Sequence, residues 1–469
     1  MKRFVRYSFL LAMIFCISLL FLPKLSRTWV GKQLFLRIIS NKVGTELSVE
    51  SFDLAWFGPQ KCTQLVCKRP EFDLQIDDCS YHVPLWKLWK AFDKLHLCQV
   101  EGTLDLQNAS LAIDPLGRAE TLFEHIYAKI TEKVPDVHID LDFYARSRNA
   151  ANIGKCFLHG TVSSTSFHEL VMDWSDLSCD LQLNMKRLPV SFFDLFSEAP
   201  SLFQSIFGKY LSLEGSLFLD HGLGDIKCDI ASSNLTATLN GHLENDRLLL
   251  NSPLQIKFFP NNLLSYLLLG KVHPCFSSIL SADAPIKVEI DRDGFCLPKN
   301  YRDLKIAKGR CDLGKLYAKN TGMLASILTM MKEESLFGVQ KMHVWFTPLE
   351  FSVENGLVQT KRMDLLIGDT FHCFTWGNID YLNDQVHLTL AVEAPMLKNS
   401  FGIEQLQEDF TLLFPIKGPT DGPSIDEKLA SGAIARLILE TSGNFLGKKS
   451  MLSDRQETIP KARPFPWRN

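Results

Sequence analysis

Residues that could carry out hydrolysis occur close together at one place in this chain. His159-Gly160 is followed by Ser163, Ser164 and Thr165, which would supply a general base and hydroxyl nucleophiles for acyl transfer. Hydrolases of this kind hold the nucleophile on a sharp turn with the pattern G-x-S-x-G, and the sequence does not contain that pattern. We therefore interpret the stretch as a polar loop. We predict no catalytic residues and a protein that is not an enzyme.

Two further groups could bind a ligand, but each has a simpler explanation. Asp140 and Asp142 are two residues apart, so both carboxylates lie on one face of a predicted strand and could bind a cation. A solvated sheet face is the better explanation for them. Gly222 and Gly224 follow His221, but the segment is too short for a phosphate-binding loop, and a turn accounts for it. The sequence predicts no metal site and no cofactor.

The cysteines leave the redox compartment open. The chain has 12 cysteines, without a C-x-x-C pattern or a Cys/His pair at the spacing of a zinc site. A disulfide could join Cys62 to Cys67, or Cys67 to Cys79. Cys179 and Cys228 lie in strand patterns, where a cysteine is usually a small buried apolar residue.

The composition excludes one class of partner and favours another. The net charge of −3 gives no basic face for nucleic acid, so we predict no nucleic-acid partner. The chain of 469 residues is long enough for several domains and contains 33 phenylalanines. Phenylalanine has no polar group, so this content requires either a very large core or an apolar cavity.

The N-terminal part of the chain has the pattern of a membrane anchor. Residues 7–22, YSFLLAMIFCISLLFL, are uncharged and follow three basic residues. A cleavable signal peptide is the alternative. However, Pro23, Lys24 and Leu25 follow the segment directly, and no small-x-small cleavage site lies close behind it. We predict that residues 1–25 form a cytoplasmic stub and an uncleaved transmembrane helix, with the rest of the chain outside the cytoplasm.

Strand and helix patterns fill residues 26–447. Alternating apolar and polar residues predict strands within 47–113 and at 137–144, 179–185, 211–219, 225–230, 235–239 and 286–290. Amphipathic helices are predicted at 31–44, 192–210, 263–280, 313–331 and 425–446. These strand and helix patterns continue without a linker or a low-complexity block between them. We therefore predict one elongated, curved antiparallel sheet, a β-groove, partly covered by helices. Residues 448–469 hold six basic and two acidic residues and are predicted to be a disordered basic tail.

The strongest pattern is an antiparallel meander in residues 344–447. Its turns include Asn355-Gly356, Gly368-Asp369 and Asn383-Asp384, between runs that alternate with period two. This stretch offers no catalytic group, so the sheet itself is the predicted functional part. An apolar face that helices leave uncovered needs an occupant, and acyl chains suit it. The predicted lipid-binding side chains are Phe351, Val353, Leu365, Ile367, Val386, Leu388, Leu390 and Val392.

Three segments in order behind the anchor carry a resemblance. They are TELSVESFDLAWFGPQKCTQLVCKRPEFDLQIDDC near the start, FSVENGLVQTKRMDLLIGDTFHCFTWGNIDYLNDQVHLTLAVEA, and the closing FPIKGPTDGPSID. Together they resemble the AsmA-like family of bacterial envelope proteins, which are related to bridge-like lipid transfer proteins. The match covers residues 45–115 and 345–447, and the middle part, 116–343, agrees only in strand rhythm. Asn355, Gly356, Gly377 and Gly418 occupy the turn positions of the family motifs.

The resemblance implies a location and a function. It implies a single-pass inner-membrane protein whose N-terminus is cytoplasmic and whose bulk is periplasmic. Such a protein would bind or transfer phospholipid through an apolar β-groove and support outer-membrane assembly or homeostasis. Because the chain is shorter than many relatives, a truncated or capped groove is expected. The alternative is a non-enzymatic scaffold with a self-filled core that binds other envelope proteins through its sheet edges or helices.

Overall fold

Two compact units make up the chain. The computed structural model describes residues 24, 27–43, 46–69, 72–85, 102–113, 121–133, 136–147, 153–163, 177–190, 193, 202–299, 301–332, 339, 341–404, 406–420, 422–441 and 459–468. Unit 1 comprises residues 1–203 and 209–232, and unit 2 comprises residues 204–208 and 233–469. Both are built mainly from antiparallel strands with helices, which confirms the coarser part of the predicted fold class. The prediction of one body over 26–447 missed this division, because the strand rhythm continues past residue 232 without a linker.

Unit 1 is an antiparallel meander. From β3 to β11 each strand pairs with the next one in the chain, and β1 and β2 pair with the two halves of β3. Its strands are β1 (Glu46–Ser48), β2 (Ser51–Asp53), β3 (Gln60–Arg69), β4 (Phe72–Tyr81), β5 (Gly102–Ile113), β6 (Thr121–Lys133), β7 (Asp136–Ser147), β8 (Gly154–Ser163), β9 (Ser178–Pro189), β10 (Tyr210–Asp220) and β11 (Leu223–Ser232).

A row of irregular residues crosses the first strands of this meander. Gln64, Asn108 and His125 have φ angles of 50°, 51° and 51°, in the left-handed region. Gln64 Nε2 donates to Asp77 Oδ1 at 3.0 Å, Asn108 Nδ2 donates to the other oxygen of Asp77, and His125 Nδ1 lies 3.1 Å from Asn108 Oδ1. Bulges bend a strand and increase its twist, so hydrogen-bonded polar side chains hold a local bend in the sheet of unit 1.

Unit 2 is a branched antiparallel sheet. One path of pairings runs β12-β14-β16-β18-β21-β22-β23-β24-β25-β26, and a second path, β15-β19-β20, joins it at β22. The strands are β12 (Leu235–Glu244), β13 (Arg247–Leu250), β14 (Leu254–Phe258), β15 (Ile279–Ala282), β16 (Ile286–Ile290), β17 (Phe295–Pro298), β18 (Lys305–Asp312), β19 (Gly314–Ala318), β20 (Met342–Phe346), β21 (Leu349–Glu354), β22 (Leu357–Ile367), β23 (Phe371–Asp380), β24 (Gln385–Glu393), β25 (Thr411–Gly418) and β26 (Ser424–Ile425).

The helices are short, apart from the first and the last. They are α1 (Trp29–Val43), α2 (Leu202–Phe207), α3 (Asn262–Leu264), α4 (Gly270–Val272), α5 (Gly322–Met330), α6 (Ala394–Phe401) and α7 (Glu427–Thr441), with a π turn at Ser265–Leu269 and 3₁₀ turns at Pro274–Phe276, Tyr301–Asp303 and Pro466–Arg468. Within the part of the chain that the structure describes, no helix is long and apolar enough to cross a bilayer. The predicted anchor at residues 7–22 lies outside that part.

Two predicted helices correspond to other structures. Residues 313–331 contain β19 as well as α5, because Gly314 and Gly322 both have φ near 60° and interrupt a right-handed helix. Residues 263–280 form several short turns that end at β15, with Pro274 at the first position of one of them. Residues 459–468, predicted to be disordered, are ordered and lie against β20 to β23 of unit 2.

Candidate functional site

The predicted lipid-binding residues lie in the closed core of unit 2. Leu365 and Ile367 on β22 are fully buried, and so are the apolar residues of β24, whose exposure is 2% or less. Phe351 and Val353 on β21 are half-buried and pack against the same core. These residues do share an apolar face, since Leu390 stands opposite Phe414. In this structure the face contacts other protein side chains.

Helices supply the cover of this face. Leu324, Ile327 and Leu328 of α5 are fully buried in the same cluster as the apolar residues of β22 and β24. Leu397 of α6 and Leu437 of α7 belong to it as well. The amphipathic helices of unit 2 are therefore sufficient to fill its interior.

The residues at family-motif turns have three different structural roles. Asn355 and Gly356, with φ angles of 51° and 74°, form the two-residue turn between β21 and β22. Gly377 lies inside β23 with φ of 140°, and a Cβ there would stand 2.4 Å from the carbonyl oxygen of His387. Gly418, with φ of 130°, ends β25. None of the four is placed to contact a ligand by these observations; each permits a backbone conformation.

Unit 1 carries the same alternation on a face that its described residues leave half-exposed. Side chains directly opposite each other on neighbouring strands point to the same side of a sheet. Two rows of such partners run across β3 to β11, and apart from Ala128 their residues are not fully buried. The first row is Cys62, Cys79, Leu106, Ala128, Leu141, Leu158, Leu183, Gly215 and Cys228, and the second is Tyr81, Leu104, Ile130, Ile139, Gly160, Leu181, Leu217 and Ile226.

The opposite face of the same strands is mainly polar, although it also bears Phe157 and Phe218, which are 47% and 57% exposed. The row between the two apolar rows is Lys61, Ser80, Asp105, Lys129, Asp140, His159, Gln182, Ser216 and Lys227. Opposite charges meet directly in this row, as at Lys129 and Asp140. Unit 1 is therefore a sheet with one apolar side and one hydrated side.

The described residues of unit 1 bury that apolar side only in part, at the cluster below and at paired Cys179 and Leu219. Their buried cluster consists of Phe123, Ala145, Cys156 and Leu188, with partly buried neighbours that include Leu183 and Met185. It lies toward one end of the strands, where Phe123 and Phe143 also make an edge-to-face contact at 5.4 Å. Burial raises the pKa of the Cys156 thiol to about 11. The two apolar rows extend beyond this cluster across the whole meander.

A cleft beside α1 is the other concave feature of unit 1. It has a volume of about 610 Å³, with apolar walls that include Leu34 of α1 and Val66 of β3. Arg37 and Lys68 supply positive charge, and Glu46 also lines the cleft. Val66 and Lys68 lie on the opposite face of β3 from the apolar rows, so the cleft is a separate surface.

Helix α1 is held firmly although one of its sides is exposed and apolar. The Thr28 hydroxyl accepts from the Gly31 amide at 3.2 Å and caps its N-terminus. Lys32 Nζ donates to the carbonyl oxygens of Val49 and Glu50 at 3.2 and 3.1 Å. The exposed side bears Trp29, Val30 and Leu34, which are 73%, 69% and 60% exposed. Val30 and Leu34, four residues apart, lie on one side of the helix, and Trp29 adds a further exposed apolar side chain at its first position.

His159, Gly160 and Ser163 lie in β8 rather than in the predicted polar loop, and Ser164 and Thr165 lie outside the described residues. His159 Nδ1 pairs with Asp140 across β7 and β8. Ser163 Oγ donates instead to Asp136 at 2.5 Å, four residues further along β8. Among the described residues, no group of three or more His, Cys, Asp and Glu side chains could hold a metal ion.

The sequence could not identify the half-exposed face of unit 1. Its strands alternate like those of unit 2, and periodicity reports which residues share a side, not what covers that side. The apolar positions form rows only because of the register between neighbouring strands, and a single sequence does not reveal that register. No family model matches the chain, and neither a curated protein nor a solved structure matches it.

Proposed function

We propose that this protein binds phospholipid acyl chains along the apolar rows of unit 1. The observation that carries the proposal is the contrast between two equally apolar sheet faces. Leu388 and Leu390 of unit 2 are buried to 2% exposure or less, whereas Leu181 and Leu217 of unit 1 are only half-buried by the described residues. A monomer tolerates only a few hundred Å² of contiguous exposed apolar surface, so a face of this extent needs an occupant.

Acyl chains match the chemistry of these rows. The rows contain Leu, Ile, Ala, Gly and Cys side chains, with one tyrosine and without a charged group. Transfer of each methylene group from water to such a surface contributes about 0.8 kcal/mol. The polar row on the opposite side keeps the sheet itself soluble. A lipid can then lie across the strands with its head group in solvent.

The same proposal includes attachment to the inner membrane. Residues 7–22 have the composition of a transmembrane helix, and α1 begins only a few residues later with an exposed apolar side. Under this proposal the anchor places unit 1 at the outer surface of that membrane, in the periplasm, with Trp29 and Leu34 in the lipid interface. A lipid-binding sheet in that position would support phospholipid delivery for outer-membrane assembly or homeostasis.

A second function applies to unit 2. Its interior is filled by its own side chains from β22, β24 and the helices α5 to α7. That observation favours the scaffold alternative for residues 233–469, with protein partners in the envelope. The two proposals concern different parts of the chain and are compatible.

Lipid bound to the purified full-length chain tests the first proposal. Leu217 on β10 belongs to an apolar row, and its neighbour Ser216 belongs to the polar row of the opposite face. We expect Leu217→Glu to reduce co-purifying phospholipid several-fold, measured by mass spectrometry of a lipid extract, because the carboxylate lies where acyl chains would lie. Ser216→Glu is the matched control and should retain its lipid. Equal lipid content in the two variants, with both folded by circular dichroism, would contradict the proposal.

A further inference from the structure

A charged cluster lies on the side of the unit 2 sheet opposite to its core. Arg362 and Asp364 on β22 form a double hydrogen bond, with Arg362 Nη2 2.7 Å and Nε 3.1 Å from Asp364 Oδ1. Glu393 at the end of β24 accepts from Arg362 Nη2 at 3.4 Å. His372 on β23 lies between the two carboxylates, 3.3 Å from Asp364 and 3.6 Å from Glu393. Four ionisable side chains from three adjacent strands therefore meet at one point.

This cluster is built into the sheet. The side chains of Arg362 and Asp364 are only 6% and 0% exposed. The Arg362 guanidinium lies 3.5 Å from the centre of the Phe374 ring, and Phe374 stacks on Trp376 at 5.6 Å. Buried charges are unfavourable unless they are paired and hydrogen-bonded.

The C-terminal segment, which we define as residues 459–468, covers the cluster. The carbonyl oxygen of Pro460 accepts from Arg362 Nη1 at 3.1 Å and so satisfies a donor that the carboxylates leave over. The rings of Phe465 and Trp467 stand 5.0 and 5.9 Å from His372 and 5.0 Å from each other. The segment thus meets both the charged and the aromatic parts of the cluster.

A second charged contact fixes the register of the segment. Arg463 Nη2 lies 2.7 Å from Glu350 Oε2, and Arg463 Nη1 donates to the carbonyl oxygen of Pro348 at 3.1 Å. Lys361 also contacts Glu350, at 3.2 Å. Arg463 and Lys361 together lower the pKa of the Glu350 carboxyl, although burial acts in the opposite direction.

The segment presents alternate residues to the sheet, like a peptide ligand. Arg463, Phe465 and Trp467 are half-buried, whereas Pro464 and Pro466 between them are exposed. Proline fixes its own φ angle and restricts the residue before it to extended conformations. The segment is therefore stiff before it docks, and a stiff ligand loses little conformational entropy on binding. Proline-rich peptides are recognised in this way by aromatic grooves.

We propose that the outer side of β21 to β24 is a recognition site for peptides of the pattern Arg-Pro-aromatic-Pro-aromatic, and that the C-terminal segment is its reversible, tethered ligand. Arg362 donates to a backbone carbonyl of the ligand, and Glu350 pairs with its arginine. The His372 ring packs against its two aromatic rings. Pro464 and Pro466 remain in solvent, so the segment is held by Arg463, Phe465 and Trp467 together with the carbonyl of Pro460. Because residues 442–458 tether the segment to the site, it competes at an effective concentration of roughly millimolar order against any free peptide.

A labelled synthetic peptide of residues 459–469 tests this proposal on the full-length chain. The variant Phe465→Ala/Trp467→Ala weakens the tethered ligand and leaves the site intact. We expect the peptide to bind this variant saturably in fluorescence anisotropy, and to bind the wild-type chain at least ten-fold more weakly because the site is occupied. Adding Glu350→Gln to the variant should weaken peptide binding about ten-fold. A scrambled peptide should not bind.

Two results would overturn the proposal. One is the absence of saturable binding to the folded Phe465→Ala/Trp467→Ala variant, and the other is binding that Glu350→Gln and scrambling leave unchanged. If that variant does not fold, trypsin cleavage after Lys461 in the wild-type chain gives a second measurement. Excess unlabelled peptide of residues 462–467, which lacks Lys461 and whose Arg463 precedes a proline, is not itself cleaved by trypsin. It should then accelerate cleavage of the chain by displacing the segment, and an unchanged rate would reject the proposal. If the wild-type chain self-associates and free peptide dissociates the oligomer, the segment also binds the site of a second copy.

Discussion

His372 is the residue whose protonation should change the stability of the charged cluster in unit 2. Its ring faces Asp364 and Glu393, Arg362 contacts the same two carboxylates, and Phe465 and Trp467 lie against it. Burial lowers the pKa of His372, but the hydrogen bonds to the two carboxylates outweigh burial and raise it above 6.5. The same contact is the main cause of the lowered pKa of Glu393.

The sign of each shift fixes the pH range of the effect. A raised histidine pKa contributes stability that is complete below pH 6.5 and is lost as the pH rises through the raised value. The lowered pKa of Glu393 contributes stability that is complete above pH 4.5 and is lost on acidification. We expect the difference in melting temperature between the wild type and His372→Gln to be largest between these values. It should shrink at higher pH. A difference that does not change with pH would contradict the assignment.

Cys62 and Cys79 are the residues that should form a disulfide under oxidising conditions. They are direct partners on β3 and β4, and a hydrogen bond joins their thiols and raises the pKa of Cys62. Antiparallel partners have Cα atoms about 4.5–5.5 Å apart, within the range that disulfides require. The two pairings that the sequence suggested both involve Cys67, which stands opposite Leu74 instead. Sequence spacing could not choose among them, because the pairing depends on strand register.

Oxidised glutathione provides the test for this pair. Its disulfide would accept two electrons and two protons from Cys62 and Cys79, releasing two molecules of reduced glutathione. We expect the intact chain to lose the mass of two hydrogens and two alkylatable thiols. Cys62→Ser should abolish the change and is the control. Stable glutathione adducts on both cysteines, without an internal disulfide, would show that the two sulfurs do not meet.

At the scale of elements, β24 should respond to charge in opposite ways on its two sides. Leu390 is 0% exposed and stands opposite Phe414, whereas the adjacent Thr389 is only half-buried and points to the other side. An unpaired carboxylate in a closed core costs several kcal/mol, so Leu390→Asp should lower the free energy of unfolding by about 3–5 kcal/mol or prevent folding. Thr389→Asp should change it by much less. Denaturant unfolding measures both variants, and a stable Leu390→Asp chain would show that this side of the sheet is open.

Strands were predictable from the sequence, and so were the two longest described helices, since predicted helices 31–44 and 425–446 correspond to α1 and α7; the other helices were less predictable. The predicted strand at 286–290 coincides with β16, and that at 235–239 begins with β12, because period-two alternation directly reflects the two sides of a sheet. The predicted helix at 313–331 failed at Gly314, whose left-handed conformation the apolar spacing does not report. A short apolar run fits both the helical period of 3.6 residues and the strand period of two. Its conformation then depends on the sheet that surrounds it.

At the scale of the whole molecule, the sequence predicted a mainly antiparallel β fold with helices but not where the apolar surfaces are covered. Leu390 and Leu217 are equivalent in pattern, but α5 to α7 complete a filled core around Leu390, whereas the described residues of unit 1 leave Leu217 half-buried. The C-terminal segment was misjudged for a related reason. Its prolines and basic residues have the composition of a disordered tail, and the cluster around Arg362 that orders residues 459–468 is assembled from distant parts of the chain.

The proposed membrane attachment makes a prediction for the entire chain. If residues 7–22 are an uncleaved anchor, the full-length protein should remain in the membrane fraction after a carbonate wash, with a reporter fused after Asn469 active outside the cytoplasm. A chain that lacks residues 1–25 should bind lipid vesicles only weakly, through Trp29, Val30 and Leu34, because a single amphipathic helix buries far less apolar area than a spanning helix. Trp29→Ser/Leu34→Ser in that shortened chain should then abolish vesicle binding, while Phe57→Ser, at an exposed apolar residue away from α1, serves as the control. Recovery of a soluble chain that begins near residue 25 from cells expressing the full sequence would show that the segment is a cleaved signal peptide.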